Sequence, residues 1–428
     1  MARARPETVG LVVTLLLISV VTLMPAAIHG RPEIDLCLVC GNIGGATAVL
    51  NIVLFMPFGF FARLRLDAFG RTVATGLLFS LCIEAIQLVV PGRETALSDL
   101  LANTIGAAVG AALALRPSAW LLPTRVRSRI AALAATALVA AGLSAAGPLL
   151  DPSAPPGDYY GQWSPHGRTH PTYKGEVLSV TLGGAPLRSR RLDDAANVRA
   201  GFLNGAVLHL RYRSSEPTAV IVPVFRVVFG AYGEGEDLFW AGTIDSSLVV
   251  WMRMRADEVH VSRPAILLPG ALAGVRAGDT VDVRVQHIAG SGFSVAVDSV
   301  PARTIGLDVG RSWSLIYDVP LRSTLLLSLV DHLWFLGLAL AIGWYTMGWW
   351  LDLVSLGVVS AAALWAPRNS DLIATPWTLI AALAAGLAAG SLLRSIAARG
   401  FTAWTASRAP DAARVGTATR PPRSRRSR

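Results

Sequence analysis

Ser80, Glu84 and Gln87 fall at i, i+4 and i+7, a spacing that puts all three on one face of a helix. Asp99, Asn103, Gly106 and Gly110 share a face in the same way. Asn51 lies upstream in Asn-Ile-Val-Leu-Phe-Met-Pro57-Phe58-Gly59, and Arg93 lies between the two polar faces. All of this sits within apolar runs. A carboxylate in such a run costs several kcal/mol unless it is partnered, so Glu84 and Asp99 should face other helices. Arg93 is the expected partner for one of them. Glu84 could act as an acid or base, and Arg93 could hold a phosphate or carboxylate. The plainer alternative is an ionic and amide network that locks the helices together. Pro57, Gly59, Gly106 and Gly110 are candidates for helix packing, since Gly106-Ala-Ala-Val-Gly110 permits close approach. Ser98 is placed to cap the helix that carries Asp99.

The elements that must hold these residues follow from composition. The 428 residues are 53% hydrophobic and only 15% charged, and the apolar residues cluster in runs near the length that crosses a bilayer. Such runs are expected at residues 9–28, 46–61, 73–90, 97–115, 130–149, 325–343, 347–365 and 376–393. The first could be a signal peptide, but its length and the helices that follow favour a retained helix. Residues 150–322 are polar and turn-rich. Val281, Val283 and Val285 alternate with Asp282, Arg284 and Gln286, and Leu208–Arg213 alternates likewise. The expected fold class is therefore a multi-pass α-helical membrane protein with an inserted antiparallel β-sandwich. The expected division is a membrane domain of about five helices at 1–149, the sandwich at 150–322, about three helices at 323–393, and a disordered basic tail at 394–428.

Of the 38 basic residues only Lys174 is a lysine, and the arginines flank the apolar runs. Arg3 and Arg5, then Arg63, Arg65 and Arg71, then Arg116, Arg125, Arg127 and Arg129, then the tail, all fall on one side if eight helices cross. Both termini are then cytoplasmic and residues 150–322 extracytoplasmic. The tail's arginines suit anionic lipid, and no aromatic pattern supports nucleic acid. No cofactor is implied. Cys37 and Cys40 form a lone CxxC pair, read as a local disulfide or two unremarkable thiols rather than a metal site. Asp331-His332, at the outer end of the sixth helix, reads as an interfacial pair sooner than a proton site.

The constellation resembles the VanZ-like family, named for a glycopeptide-resistance protein. Its pattern maps onto Asn51, Phe55, Pro57, Phe58, Gly59, Ser80, Glu84, Gln87, Arg93, Asp99, Asn103 and Gly106, over roughly residues 11–115. Many members carry an aromatic residue between the Arg and the Asp, where this chain has Glu94-Thr-Ala-Leu-Ser98. The resemblance implies a bacterial plasma-membrane protein of the cell envelope, with some members tied to teicoplanin resistance, and supplies no reaction. The strand order of the middle segment resembles concanavalin-like and laminin-G-like sandwiches, which implies glycan binding, sometimes through calcium. Glu234, Glu236 and Asp237 are the calcium candidates, against a solvated loop as the plainer reading. Trp240 and Trp251 could stack on sugars, with core packing the simpler role. The expected activity is recognition or handling of a cell-wall, glycan or lipid-linked component. The alternatives are an enzyme acting on a lipid-linked substrate, or a transporter or flippase using Glu84, Arg93 and Asp99.

Overall fold

The computed structural model describes residues 6–24, 34–35, 44–90, 93, 95–165, 171–230, 235–298, 300–317 and 323–408. Cys37, Cys40, Glu234 and the last twenty residues of the expected tail lie outside them.

The first 149 residues hold α1 (Pro6–Leu23), β1 (Ile34–Asp35), α2 (Gly44–Leu66), α3 (Phe69–Gln87), β2 (Thr95–Ala96), α4 (Leu97–Leu113), the short α5 (Pro117–Leu121) and α6 (Arg125–Leu149). The chain ends in α8 (Thr324–Tyr345), α9 (Trp349–Trp365) and α10 (Trp377–Arg408). Among the described residues, α2, α3, α6, α8, α9 and α10 are long and apolar enough to cross a membrane, and α1 and α4 are shorter apolar helices. Large side chains such as Leu16, Leu78, Leu138 and Leu325 point away from the protein on these helices. That exposure would be untenable in water for so many residues and is what a lipid-facing surface requires. The chain is a multi-pass helical membrane protein.

Helix packing is achieved by removing side chains. A Cβ on Gly59 would lie 2.0 Å from Ala107 O, one on Gly106 2.3 Å from Ile52 O, and one on Gly110 1.9 Å from Met56 O. Only glycine lets α2 and α4 touch backbone to backbone along their length. The same device joins α8 to α10, where Cβ atoms on Gly343, Gly386 and Gly390 would strike Leu387 O, Leu336 O and Leu340 O. Pro57 sits inside α2, where it removes one ladder hydrogen bond. The last helix runs through Arg394 to Arg408, past the boundary expected at 393, because Arg394 turns inward.

Between the two helical groups lie two antiparallel sheets. One has the order β10-β9-β8-β7-β3 and the other β13-β12-β11-β6-β4-β5. The first is built from β3 (Tyr159–Trp163), β7 (Val222–Phe229), β8 (Glu236–Ile244), β9 (Ser247–Met252) and β10 (Ile266–Leu268). The second is built from β4 (Glu176–Leu182), β5 (Ala185–Pro186), β6 (Leu208–Arg213), β11 (Thr280–Ile288), β12 (Gly292–Val297) and β13 (Arg303–Ile305). Val281, Val283 and Val285 are buried while Thr280, Arg284 and Ile288 are exposed. Val224, Phe239 and Val250 of one sheet share a single core with Val180, Leu210 and Val295 of the other, which makes the pair a sandwich. One helix inside this segment escaped the alternation analysis. It is α7 (Ala195–Leu203), started by Asp194, whose carboxylate accepts from Asn197 N at 3.1 Å.

Candidate functional site

The ends of α1, α3 and α4, with the middle of α2, converge on one polar cluster. Ser80, Glu84 and Gln87 of α3 are all buried, as are Ser98 and Asn103 of α4. Asn103 Nδ2 donates to Ser80 Oγ at 2.9 Å, which ties the two faces together at depth. One turn towards the helix ends, the Asn51 side chain of α2 hydrogen-bonds Asp99. Asp99 and Glu84 are close enough to repel one another. Ala96 N donates to Glu84 Oε2 at 3.2 Å, and Thr95 Oγ1 donates to Glu84 O at 3.1 Å. Gln87 Nε2 reaches across to Thr22 O of α1 at 2.9 Å. Over the cluster, β1 pairs with β2 in parallel, joining Ile34 to Thr95 and Asp35 to Ala96.

Two expectations are corrected here. Arg93 partners neither carboxylate. Its Nε donates to Met24 O and its Nη2 to Val21 O, both at 2.9 Å, so the guanidinium satisfies carbonyls at the C-terminal end of α1. Free helix-end carbonyls are strong acceptors and carry the negative end of the helix dipole, and a fork of N–H groups suits them. Ser98 does not occupy the cap position of α4 either; that is Ala96, which makes no side-chain cap.

What remains is a cluster rich in acceptors. Gln87 Oε1 and Asn103 Oδ1 are buried and accept from no group among the described residues. An unpaired buried acceptor costs about 1–3 kcal/mol. Two of them beside two carboxylates, with the Arg93 guanidinium committed elsewhere, form a site suited to a group that donates hydrogen bonds.

Residues 11–142 match the VanZ/LLP1 family model. The matched stretch carries α2 to α5 whole, most of α1 and α6, and every residue of the cluster. No curated protein and no solved structure matches the chain. The VanZ-like constellation named from sequence is therefore one spatial unit, apart from Arg93, which serves its edge.

The other candidates resolve differently. Glu236 pairs with Arg253 at 2.5 Å and Asp237 with Arg226 at 3.5 Å. Burial pushes the Asp237 carboxyl up and the guanidiniums of Arg226 and Arg263 pull it back. These carboxylates are matched by arginine, and among the described residues no three His, Cys, Asp or Glu side chains gather as a metal site. Trp240 and Trp251 are buried and stack on each other, 6.3 Å between centroids at 6°. The Arg263 guanidinium lies 3.7 Å from the Trp251 ring centre, so that face is covered. Asp331 is buried and accepts from Trp313 Nε1 at 2.6 Å, with Arg311 at 3.4 Å, whereas His332 hydrogen-bonds Ser328 on its own helix.

The last three helices hold polar chemistry that sequence reasoning missed. The Thr346 and Ser391 hydroxyls lie within hydrogen-bond reach of each other, of the Asp352 carboxylate and of Gly343 O, and share their two protons among these acceptors. Arg394, buried, donates to Ser128 of α6, to Trp344 O at 3.0 Å and to Pro123 O at 3.3 Å. The signal was present: Gly386-Leu-Ala-Ala-Gly390 repeats the GxxxG spacing, and Ser391 and Arg394 continue one face beyond it.

Proposed function

We propose that this chain is a VanZ-like protein of the bacterial cell envelope whose first four helices hold the hydrogen-bond-donating head of a wall precursor or other lipid-linked component. The head would carry sugar hydroxyls or an ammonium group. The observation that carries the reading is the pair of buried acceptors, Gln87 Oε1 and Asn103 Oδ1, unspent among the described residues and set beside Glu84 and Asp99. Arginine placement supports a topology with both termini in the cytoplasm and the β-sandwich outside it. There the sandwich is the module that meets surface glycans, and the arginines of the C-terminal tail meet anionic lipid of the inner leaflet. A contribution to glycopeptide resistance follows if the bound component is a wall precursor.

Asn103→Leu and Gln87→Leu test the reading because they separate structure from ligand. Each deletes an unpaired acceptor together with a bond the cluster makes, Asn103 Nδ2 to Ser80 Oγ or Gln87 Nε2 to Thr22 O, so structure alone costs about 1 kcal/mol and the bound lipid is what reports on the ligand. The measurements are thermal unfolding of the full-length protein in detergent and mass spectrometry of the lipids that co-purify with it. The expected result is a modest loss of stability together with loss of an amine- or sugar-bearing lipid. Unchanged lipid content in both variants, with Glu84→Gln and Asp99→Asn equally silent, would overturn the proposal.

A further inference from the structure

A second site stands on the β-sandwich. A cleft of about 590 Å³ opens between the β4–β5 turn, the segment that follows β5, and α7. That is within the size range of small-ligand sites. Its floor is apolar, from Leu182, Pro186 and Ala206, and its rim carries Arg188, Arg190 and Arg191 alongside Asp193 and Asp194, the latter engaged in capping α7.

The rim is held still by its backbone. Leu187 N donates to Val180 O at 2.8 Å, Gly161 N to Arg190 O at 3.0 Å, and Leu192 N to Tyr159 O at 2.8 Å. Trp163 Nε1 donates to Leu187 O at 3.0 Å. This segment is thus stitched to both sheets, and a Cβ on Gly161 would lie 2.3 Å from Arg188 O. A fixed backbone carrying free side chains is a preorganised binding surface, since little ordering cost is left for the moment of binding.

The guanidiniums are available. Arg188 is exposed and has no ion-pair partner among the described residues. Arg190 pairs with Asp193 and Arg191 with Asp158, but the arginine side chains are 57% and 64% exposed. Ion pairs that exposed hold weakly and give way to a better oxyanion. The cleft also lies near the helical end of the sandwich. Arg199 of α7 donates to Ala154 O at 2.6 Å, just beyond α6, and His287, whose carbonyl packs on Gly205 beside the cleft, lies 3.8 Å from Asp371 in the α9–α10 connection.

We infer that this cleft binds an anionic glycan, its phosphate or carboxylate groups taken by Arg188 and Arg190 and an apolar sugar face laid on Leu182, Pro186 and Ala206. The inference rests on reading the sandwich as the glycan-facing module, and it adds the place and the charge of the ligand. An anionic partner also accounts for three arginines within four residues on a rim that has no aromatic side chain.

The test uses the full-length protein in phosphatidylcholine nanodiscs. Poly(glycerol phosphate) and polyglucuronate are the probes, with neutral dextran and phosphatidylglycerol vesicles as the other arms. Binding of at least one polyanion is expected, weakened by salt. Arg188→Ala should lower it roughly tenfold and Arg188→Glu with Arg190→Ala should abolish it. Both residues are exposed, so folding is checked by unchanged thermal unfolding. Dextran bound as well as the polyanions, by wild type and variants alike, would overturn the site and leave the glycan-facing role standing. Capture of the vesicles alone would replace the glycan with phospholipid and overturn the proposal. Absence of binding to any glycan would remove both readings.

Discussion

Replacing Gly110 with alanine should split the helix pair on which the polar cluster is built. The new Cβ would lie 1.9 Å from Met56 O, and ordinary contact begins at 3.4 Å. The obstacle is a backbone carbonyl, so no rotamer change relieves it, and α2 and α4 must part by about 1.5 Å. Dispersion contacts lose a quarter to a half of their strength over roughly 0.5–1 Å, so the Gly59–Ala107 and Gly106–Ile52 approaches fail along with the first. Overpacking usually costs about 1–3 kcal/mol, and this geometry belongs at about 3 kcal/mol. Gly142 of α6 is the control. Nothing lies within 4 Å of a Cβ there, and alanine is the better helix former by about 1 kcal/mol. Thermal unfolding of the full-length protein in detergent should therefore move in opposite directions, down for Gly110→Ala and level or up for Gly142→Ala. Gly110→Ala should also lose the lipid retained by the cluster, because Asn51 and Asp99 approach one another across the same two helices. A Gly110→Ala protein that unfolds with the wild type would refute the backbone-contact reasoning.

Asp331→Ala should destabilise the protein by about 3 kcal/mol, since it strips a buried acceptor from Trp313 and Arg311, whereas Asp331→Asn keeps the indole bond and should cost about half as much; denaturation followed by tryptophan fluorescence separates the two. Burial holds the His287 imidazole below its usual 6.5, with Asp371 pulling it back up. The unfolded chain therefore takes up that proton first. The stability this group contributes is full above pH 6.5 and is lost as pH falls from 6.5 through its folded value. His287→Gln should flatten that part of the stability–pH profile, and an unchanged slope would assign the acid sensitivity elsewhere.

The readable parts of the chain are those whose signal is periodic. Apolar runs mark α1 to α4 and α8 to α10 because lipid demands uninterrupted apolar helix, and Val281, Val283 and Val285 mark β11 because a sandwich strand buries alternate residues. The buried polar faces of Glu84 and Asn103 were legible for the same reason, since they follow from the helical repeat. Arg93 was legible as a member of the constellation but not in its role. Its partners are main-chain carbonyls of Val21 and Met24, which every residue possesses and no composition reveals. Arg394 was misplaced because an arginine after an apolar run reads as the end of a span. Here three carbonyl or hydroxyl acceptors from α6 and its neighbours allow it to remain inside. Glu236 and Asp237 looked like cation ligands because their arginines, at 226, 253 and 263, arrive from other parts of the chain.

The contact between the sandwich and the VanZ-like helices belongs to the same illegible class, and it bears on how the two are related. His260 has a left-handed backbone, φ +55°, that ends the Arg255–Val259 turn and aims its carbonyl at the start of α2. Gly45 N and Ala46 N donate to it at 2.9 and 3.3 Å. A helix begins with N–H groups that have no partner within it, and here the sandwich supplies the acceptor. Gly45 is needed for the approach, since a Cβ there would already stand 3.0 Å from His260 O. On the other side, Ile373 N donates to Leu307 O at 2.9 Å and Asp371 N to Asp151 Oδ1 at 2.6 Å, which fixes the sandwich to the α9–α10 connection. The sandwich is therefore clamped between both helical groups by bonds that main-chain N–H groups donate. Boundaries at 149 and 322 divide the chain by composition, but α2 begins on a carbonyl of the sandwich and, less than two turns later, delivers Asn51 to Asp99.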